Sequence, residues 1–177
     1  RGAIHGSIIN GVDQQGRPGV YFIDPGVGPC KAGVGGIVQC GADIWQTWLT
    51  TYLNAAKVVC SGIYYPYNRQ VIWNLATSSS DTPNLSIVLQ TNEMQDQPNG
   101  ARRGWAIWNG NRAKALTMCL YAENVDDNTT RSMVLRPFSG IEGLGLVHRC
   151  DTTDEDNAVE YTARIVSKPY TPTTILN

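Results

Sequence analysis

An all-β chain is what three features of this sequence predict. The first is a recurring short apolar run. Val20-Tyr21-Phe22-Ile23-Asp24 returns as Val71-Ile72-Trp73-Asn74, as Met118-Cys119-Leu120-Tyr121 and as Leu146-Val147-His148-Arg149. Tyr21 to Ile72 is 51 positions, Ile72 to Cys119 is 47, and Cys119 to Val147 is 28. The first two steps lie close to the roughly 40–50-residue period of propeller repeats, whose short strands cannot each bury a core alone and must stack. The second feature is composition: 18 of 177 residues are Gly, and Ser, Thr and Asn are plentiful. These are weak helix formers that suit short strands joined by tight turns. The third is alternation. Leu85, Ile87 and Leu89 oppose Ser86, Val88 and Gln90, and Val159, Tyr161, Ala163 and Ile165 oppose Glu160, Thr162, Arg164 and Val166. The expectation is a β-propeller or partial propeller of antiparallel strands with little helix, forming a single all-β domain over residues 1–177.

The elements follow in order. Ser7-Ile8-Ile9 is a hairpin candidate and Gln15–Gly19 a turn. Gly19–Ile23 is a strand broken by Asp24-Pro25-Gly26, and Gly33–Cys40 is a second. Asp43–Leu49 reads as a short helix or irregular segment. Lys57–Tyr65 is a strand, turned by Pro66-Tyr67-Asn68. Gln70–Thr77 and Asn84–Thr91 form the clearest hairpin, looped through Ser78–Pro83, and Gln95–Gly100 is a polar tip. Arg103–Trp108 and Ala113–Glu123 are strands on either side of the turn dipeptide Asn109-Gly110. Asp126-Asp127-Asn128 is loop, Ser132–Arg136 and Leu144–Cys150 are strands, and Asp151–Asn157 is an acidic loop. Val159–Ser167 is the last strand before Pro169-Tyr170-Thr171-Pro172. About ten strands result.

Charge excludes some functions. Charged residues make up 16%, with 14 Lys and Arg against 15 Asp and Glu. A net charge of −1 gives no whole-chain footprint for nucleic acid. Cys30, Cys40, Cys60, Cys119 and Cys150 are odd in number, and no two are closer than ten positions. That spacing argues against a complete disulfide framework and against a Cys-x-x-Cys zinc or redox motif. As buried apolar fillers they point to folding in a reducing cytoplasm. No apolar run approaches ~18 residues, so no membrane span is expected. No signal-peptide pattern opens the chain. Arg1 in place of Met reads as an excerpt or processed product of a longer propeller protein.

Several clusters are chemical candidates. Arg102-Arg103-Gly104-Trp105 could clamp a phosphate or carboxylate against an aromatic wall. Its simpler account is a Trp core anchor with Arg at a subunit seam. Tyr64, Tyr65 and Tyr67 make an aromatic, turn-forming run with Arg69. Such runs bind sugars or bases, and they are also enriched at protein interfaces. Ser79-Ser80-Asp81-Thr82-Pro83 resembles the start of the sialidase Asp-box but lacks its Gly and Trp. Four carboxylates crowd Asp151–Asn157 without EF-hand spacing or its turn glycine. His5 and His148 are isolated, and no nucleophile elbow or phosphate loop is present. Glu93, Glu123 and Glu142 sit near expected strand ends, and nothing singles out a catalytic pair. Asn84-Leu85-Ser86 and Asn128-Thr129-Thr130 match the glycosylation triplet, unmodified in a cytoplasmic reading. Trp45, Trp48, Trp73, Trp105 and Trp108 are the expected core or seam anchors. No catalytic set, metal or cofactor is expected.

Taken together, several segments resemble the β-propeller domain of structural proteins in bacteriophage tails, the hub or nozzle proteins that form rings below the portal. They are Tyr21–Asp24 with Gly28-Pro29, Tyr64-Tyr65-Pro66 with Gln70–Trp73, Ser78–Asn84, Arg102–Trp105, and Asp151–Asp154 with Ser167-Lys168-Pro169-Tyr170. The likeness spans about Val20 to Pro172 and rests on arrangement, not on one diagnostic motif. It implies a non-enzymatic virion structural protein, assembled in the host cytoplasm as a homo-oligomeric ring. Its partners would be copies of itself and other tail or portal-proximal proteins. DNA would pass without tight binding, and no membrane would be involved. One departure stands out: a closed propeller of ~4–8 four-stranded blades needs more strands than this chain offers. The alternative is a carbohydrate-binding or carbohydrate-cleaving β-propeller using Tyr64–Arg69 and two carboxylates. A third reading is a monomeric, host-encoded scaffold that binds peptides.

Overall fold

The computed structural model describes residues 2–41, 60–76, 80–93, 104–108, 115–127, 130–141, 146–149, 155–156 and 159–160. Most of them are strand. In the first sheet β1 (Ile9–Val12), β2 (Pro18–Asp24), β3 (Gly28–Gly33) and β4 (Gly36–Gln39) pair in chain order, each antiparallel to the next. The second sheet repeats that meander with β5 (Cys60–Tyr65), β6 (Gln70–Leu75), β7 (Leu85–Gln90) and β8 (Gly104–Trp108). The third has the order β11-β10-β9, from β9 (Ala115–Asp127), β10 (Thr130–Ile141) and β11 (Leu146–Arg149). β12 (Glu155–Asp156) and β13 (Val159–Glu160) form a separate pair. The one helical element among the described residues is a 3-10 turn at Thr91–Glu93. The described sheets do not close into a ring.

The strand expectations hold best for apolar runs bounded by turn residues. The hairpin of Gln70–Thr77 with Asn84–Thr91 is β6 and β7, in the register Val71↔Leu89 and Trp73↔Ile87. Several boundaries differ. Gly33–Cys40 is not one strand: the chain turns at Val34-Gly35, with Gly36 at a φ of 99°, and β4 begins there. β3 escaped sequence reading because Gly-Pro-Cys-Lys-Ala-Gly has no apolar period, and its pairing is set by the strands on either side. Pro18 belongs to β2, not to the preceding turn, and Gly19 lies in the strand as expected. Asp126 and Asp127 lie in β9, and Ser132–Arg136 extends through Pro137 to a 12-residue strand. A long antiparallel partner overrides the weak local propensity of those polar residues. Glu155-Asp156, expected as loop, pairs with Val159-Glu160. The Leu146–Arg149 run is a strand as expected, β11, paired with β10. Asp43–Leu49, Gln95–Gly100 and Asn109-Gly110 lie outside the described residues.

The sheets stack face on face. Ile9, Tyr21 and Ile23 of the first sheet share a core with Val71, Trp73, Leu75, Ile87 and Leu89 of the second. The opposite face of the second sheet carries Tyr65, Ile72 and Val88, and Met118 and Leu120 of β9 pack there. With both faces covered, the two inner strands lose the half-polar alternation of a one-sided sheet. β6 is buried from Val71 to Leu75 and β7 from Leu85 to Leu89. Two polar residues in this stretch satisfy each other: Ser86 Oγ donates to Asn74 Oδ1 at 2.6 Å. Asn74 Nδ2 donates in turn to Ser61 Oγ at 3.4 Å.

Trp73 joins the two four-stranded sheets. It is fully buried, and its Nε1 donates to the Ser7 carbonyl at 2.8 Å. Trp73→Ala should cost ~3–5 kcal/mol through the cavity it leaves. Trp73→Phe should cost less, ~1–3 kcal/mol, because it keeps most of the ring and orphans the Ser7 carbonyl. Thermal melts of both variants would check that order; a wild-type midpoint for Trp73→Ala would remove Trp73 from the core account.

Candidate functional site

One end of the second sheet gathers two of the sequence clusters. Register aligns Tyr65 with Gln70, Gln70 with Gln90, and Gln90 with Gly104, in a single row across four strands. The Tyr64–Arg69 run and the residue that follows Arg102-Arg103 therefore share one sheet end, some forty positions apart in sequence. Arg102 and Arg103, with Trp45 and Trp48, lie outside the described residues.

The turn at this end is held tightly. Arg69 N donates to the Pro66 carbonyl at 3.2 Å, and Arg69 itself has a φ of 51°. A non-Gly residue in that left-handed region persists only where its surroundings enforce it. Here the enforcing partner is Thr91, whose N and Oγ1 both donate to the Arg69 carbonyl, at 2.8 and 3.0 Å. The turn presents Tyr67 at 73% exposure, with its ring 6.3 Å from that of buried Tyr65 and tilted by 31°.

The three tyrosines do not form one surface. Successive strand residues face opposite sides of a sheet. Tyr64 packs against the core shared with the first sheet, and Tyr65 enters the cluster on the far side. Tyr67 alone is open to solvent. Trp105 is half-buried and stacks on Trp73, centroids 6.4 Å apart at 22°. Trp108, also half-buried, packs on the opposite face. Among the described residues, Tyr64 Oη, Trp105 Nε1, Gln70 Oε1 and Gln90 Oε1 are buried without a hydrogen-bond partner.

The first sheet carries a charged cluster that sequence reading missed. Asp13 is buried, and its Oδ1 accepts from Gln15 N at 3.0 Å and Arg17 N at 2.8 Å. Its Oδ2 accepts from Arg17 Nε at 2.9 Å and Lys31 Nζ at 2.8 Å. Burial pushes the Asp13 carboxyl upward, but the Lys31 and Arg17 hydrogen bonds outweigh it and hold the group at about 2, below the ordinary 3.8. With both oxygens occupied twice, Asp13 is a clasp for the β1–β2 turn and has no lone pair left for general-base work. Its signal was weak: an Asp four positions before an Arg in a turn, plus a lone Lys in a Gly-Ala strand.

Among the described residues Cys30 and Cys40 are buried and Cys60 is half-buried. Burial pushes the Cys60 thiol up to about 12, so it is not a thiolate at neutral pH. Cys119 departs from the buried-filler expectation and is exposed. Among the described residues no group of three or more His, Cys, Asp or Glu is placed to hold a metal, and no helix is long and apolar enough to cross a membrane.

The chain matches no family model, no curated protein and no solved structure.

Because the folded value of Asp13 lies below its unfolded one, its stabilisation is present above about pH 4 and disappears as pH falls toward 2. The loss should be about 2 kcal/mol. Urea midpoints measured from pH 6 to 2 on wild type and Asp13→Asn would isolate it. Wild type should lose this increment with acid and the variant should not; parallel curves would refute the clasp.

Proposed function

We propose that this chain is a non-enzymatic assembly module, built of stacked β-propeller blades, that joins with copies of itself in a ring in the tail of a bacteriophage. The observation that carries the reading is the second sheet. It is a four-stranded antiparallel meander, apolar through both inner strands, and covered on both faces by other sheets. Consecutive meanders stacked in this way are how propeller blades bury their cores. The polar side chains of Asp13, Thr91, Asn74 and Ser86 are spent on holding turns and strands together. That is the profile of a scaffold.

In this reading other tail or portal-proximal proteins are the further partners, the assembled form belongs to the virion after assembly in the host cytoplasm, and neither cofactor nor membrane takes part. Near-zero net charge suits a path that lets DNA pass without holding it, because phosphate affinity scales with the number of neutralising cations.

One observation favours a second reading, a carbohydrate-binding propeller: the open Tyr67 ring on a rigid turn beside Tyr65. A glycan array on wild type and Tyr67→Ala separates the two. Binding lost in Tyr67→Ala would favour the sugar reading, and Tyr65→Ala would not serve, because Tyr65 is buried.

The leading reading is checked by light-scattering mass and negative-stain images of the native protein. Rings or tubes of many copies are expected. A monodisperse 19.3 kDa particle at tens of micromolar would end it.

A further inference from the structure

Two turns of the first sheet close around a cleft. The β1–β2 turn brings Asp13, Gln15 and Arg17 to it, and the β3–β4 turn brings Val34 and Gly35. An antiparallel meander puts those two turns at the same end of the sheet. The cavity between them has a volume of about 190 Å³, and Lys31 and Val38 stand on its wall. Lys31 and Val38 are cross-strand partners, so both side chains leave the same face. Lys31 reaches Asp13 by lying over Gly19, where a Cβ would come within 2.9 Å of Lys31 Cε. The turn opposite is unobstructed: a Cβ at Gly35 or Gly36 would meet nothing within 4 Å.

Charge in the cleft is unbalanced. Asp13 is set against two cations, with Arg17 Nε at 2.9 Å and Lys31 Nζ at 2.8 Å. Gln15, the other polar side chain on the wall, is neutral, so one positive charge is in excess. Donors are in excess as well. Lys31 gives one hydrogen bond to Asp13, while Arg17 gives Nε to Asp13 and Nη2 to Gln15 Oε1 at 3.0 Å. An ammonium and a guanidinium carry more N–H groups than these contacts use. Asp13 has no capacity left for them, since each of its oxygens already accepts twice. The Lys31 side chain is only 15% exposed, so a negative group meeting its ammonium is screened less than at an open surface. The remaining wall is apolar: Pro18, Val34 and Val38 line it, and Val34 is 99% exposed.

We infer that this cleft binds a carboxylate carried on a short apolar body. The carboxylate meets Lys31 and the planar fork of Arg17, which matches its two oxygens. The apolar body lies against Pro18, Val34 and Val38. A single excess charge suits a monoanion, and the small volume suits a short branched acid. A free acid and the C-terminal residue of a peptide share this chemistry. The site goes beyond the assembly reading, and neither depends on the other.

The test follows the melting midpoint of the full chain at constant ionic strength, because a ligand of the folded state raises it with concentration. Isovalerate should raise the midpoint. Isovaleramide lacks the charge and chloride lacks both the paired oxygens and the body, so neither should. Val34→Asp leaves the clasp untouched at a fully exposed position. It should melt like wild type without ligand and bind isovalerate about tenfold more weakly, through the like charge it places at the cleft. Val34→Lys should bind it more tightly, and Lys31→Gln, where it folds, should lose the response. N-acetyl-glycyl-valine and its C-terminal amide identify the source. A stronger response to the peptide acid than to isovalerate assigns the site to a chain terminus, and the reverse assigns it to a free acid. No response to either acid would overturn the inference. So would an equal response to isovaleramide, chloride or the peptide amide, or an isovalerate response unchanged in Val34→Asp.

Discussion

The structure depends on one indole. Trp73 projects from the middle of β6 into the core between the first two sheets, and its Nε1 finds the Ser7 carbonyl. Ser7 is itself buried and committed. Its Oγ donates to the Ile4 carbonyl at 2.7 Å and accepts from Ile23 N at 3.1 Å. The segment before β1, the end of β2 and the centre of β6 therefore share a single serine. Burying a ring of this size supplies most of the attraction, and the hydrogen bond fixes direction. Sliding one sheet over the other would leave the indole N–H and the Ser7 carbonyl unpaired in a dry interior, and that cost holds the stack in register. Gly6 completes the junction. It takes a φ of 79°, with the Cys60 carbonyl lying where a Cβ would project, so a side chain there would push β5 off the first sheet.

Each sheet then fixes its own turns by polar contacts of very different cost. The β1–β2 turn is clasped by a buried carboxylate and two cations. Buried charges are tolerated only when fully paired, and Asp13 is paired on both oxygens. The β5–β6 turn is fixed by neutral hydrogen bonds from Thr91, which hold Arg69 in its left-handed conformation. The β2–β3 turn uses Asp24 Oδ1, which accepts from Gly26 N and Val27 N. In all three a side chain replaces the backbone partner that a tight turn cannot offer.

How much of this was legible in the sequence follows from what each residue touches. The β6–β7 hairpin was readable because its strands are long apolar runs between turn residues, and their environment is symmetric. The repeat was legible only in part: its first two runs fall on β2 and β6, each the second strand of a four-stranded meander, whereas the third falls on β9, the edge strand of the third sheet. β3 was not legible, because a Gly-Pro-Cys-Lys-Ala-Gly strand is held by its neighbours and its own side chains carry no period. The division of Tyr64, Tyr65 and Tyr67 among two cores and solvent was not legible either, since a run of aromatics looks like one surface until the pleat separates its members. Asp13 was hidden for a related reason: its third partner, Lys31, is 18 residues away and meets it only once β3 is paired.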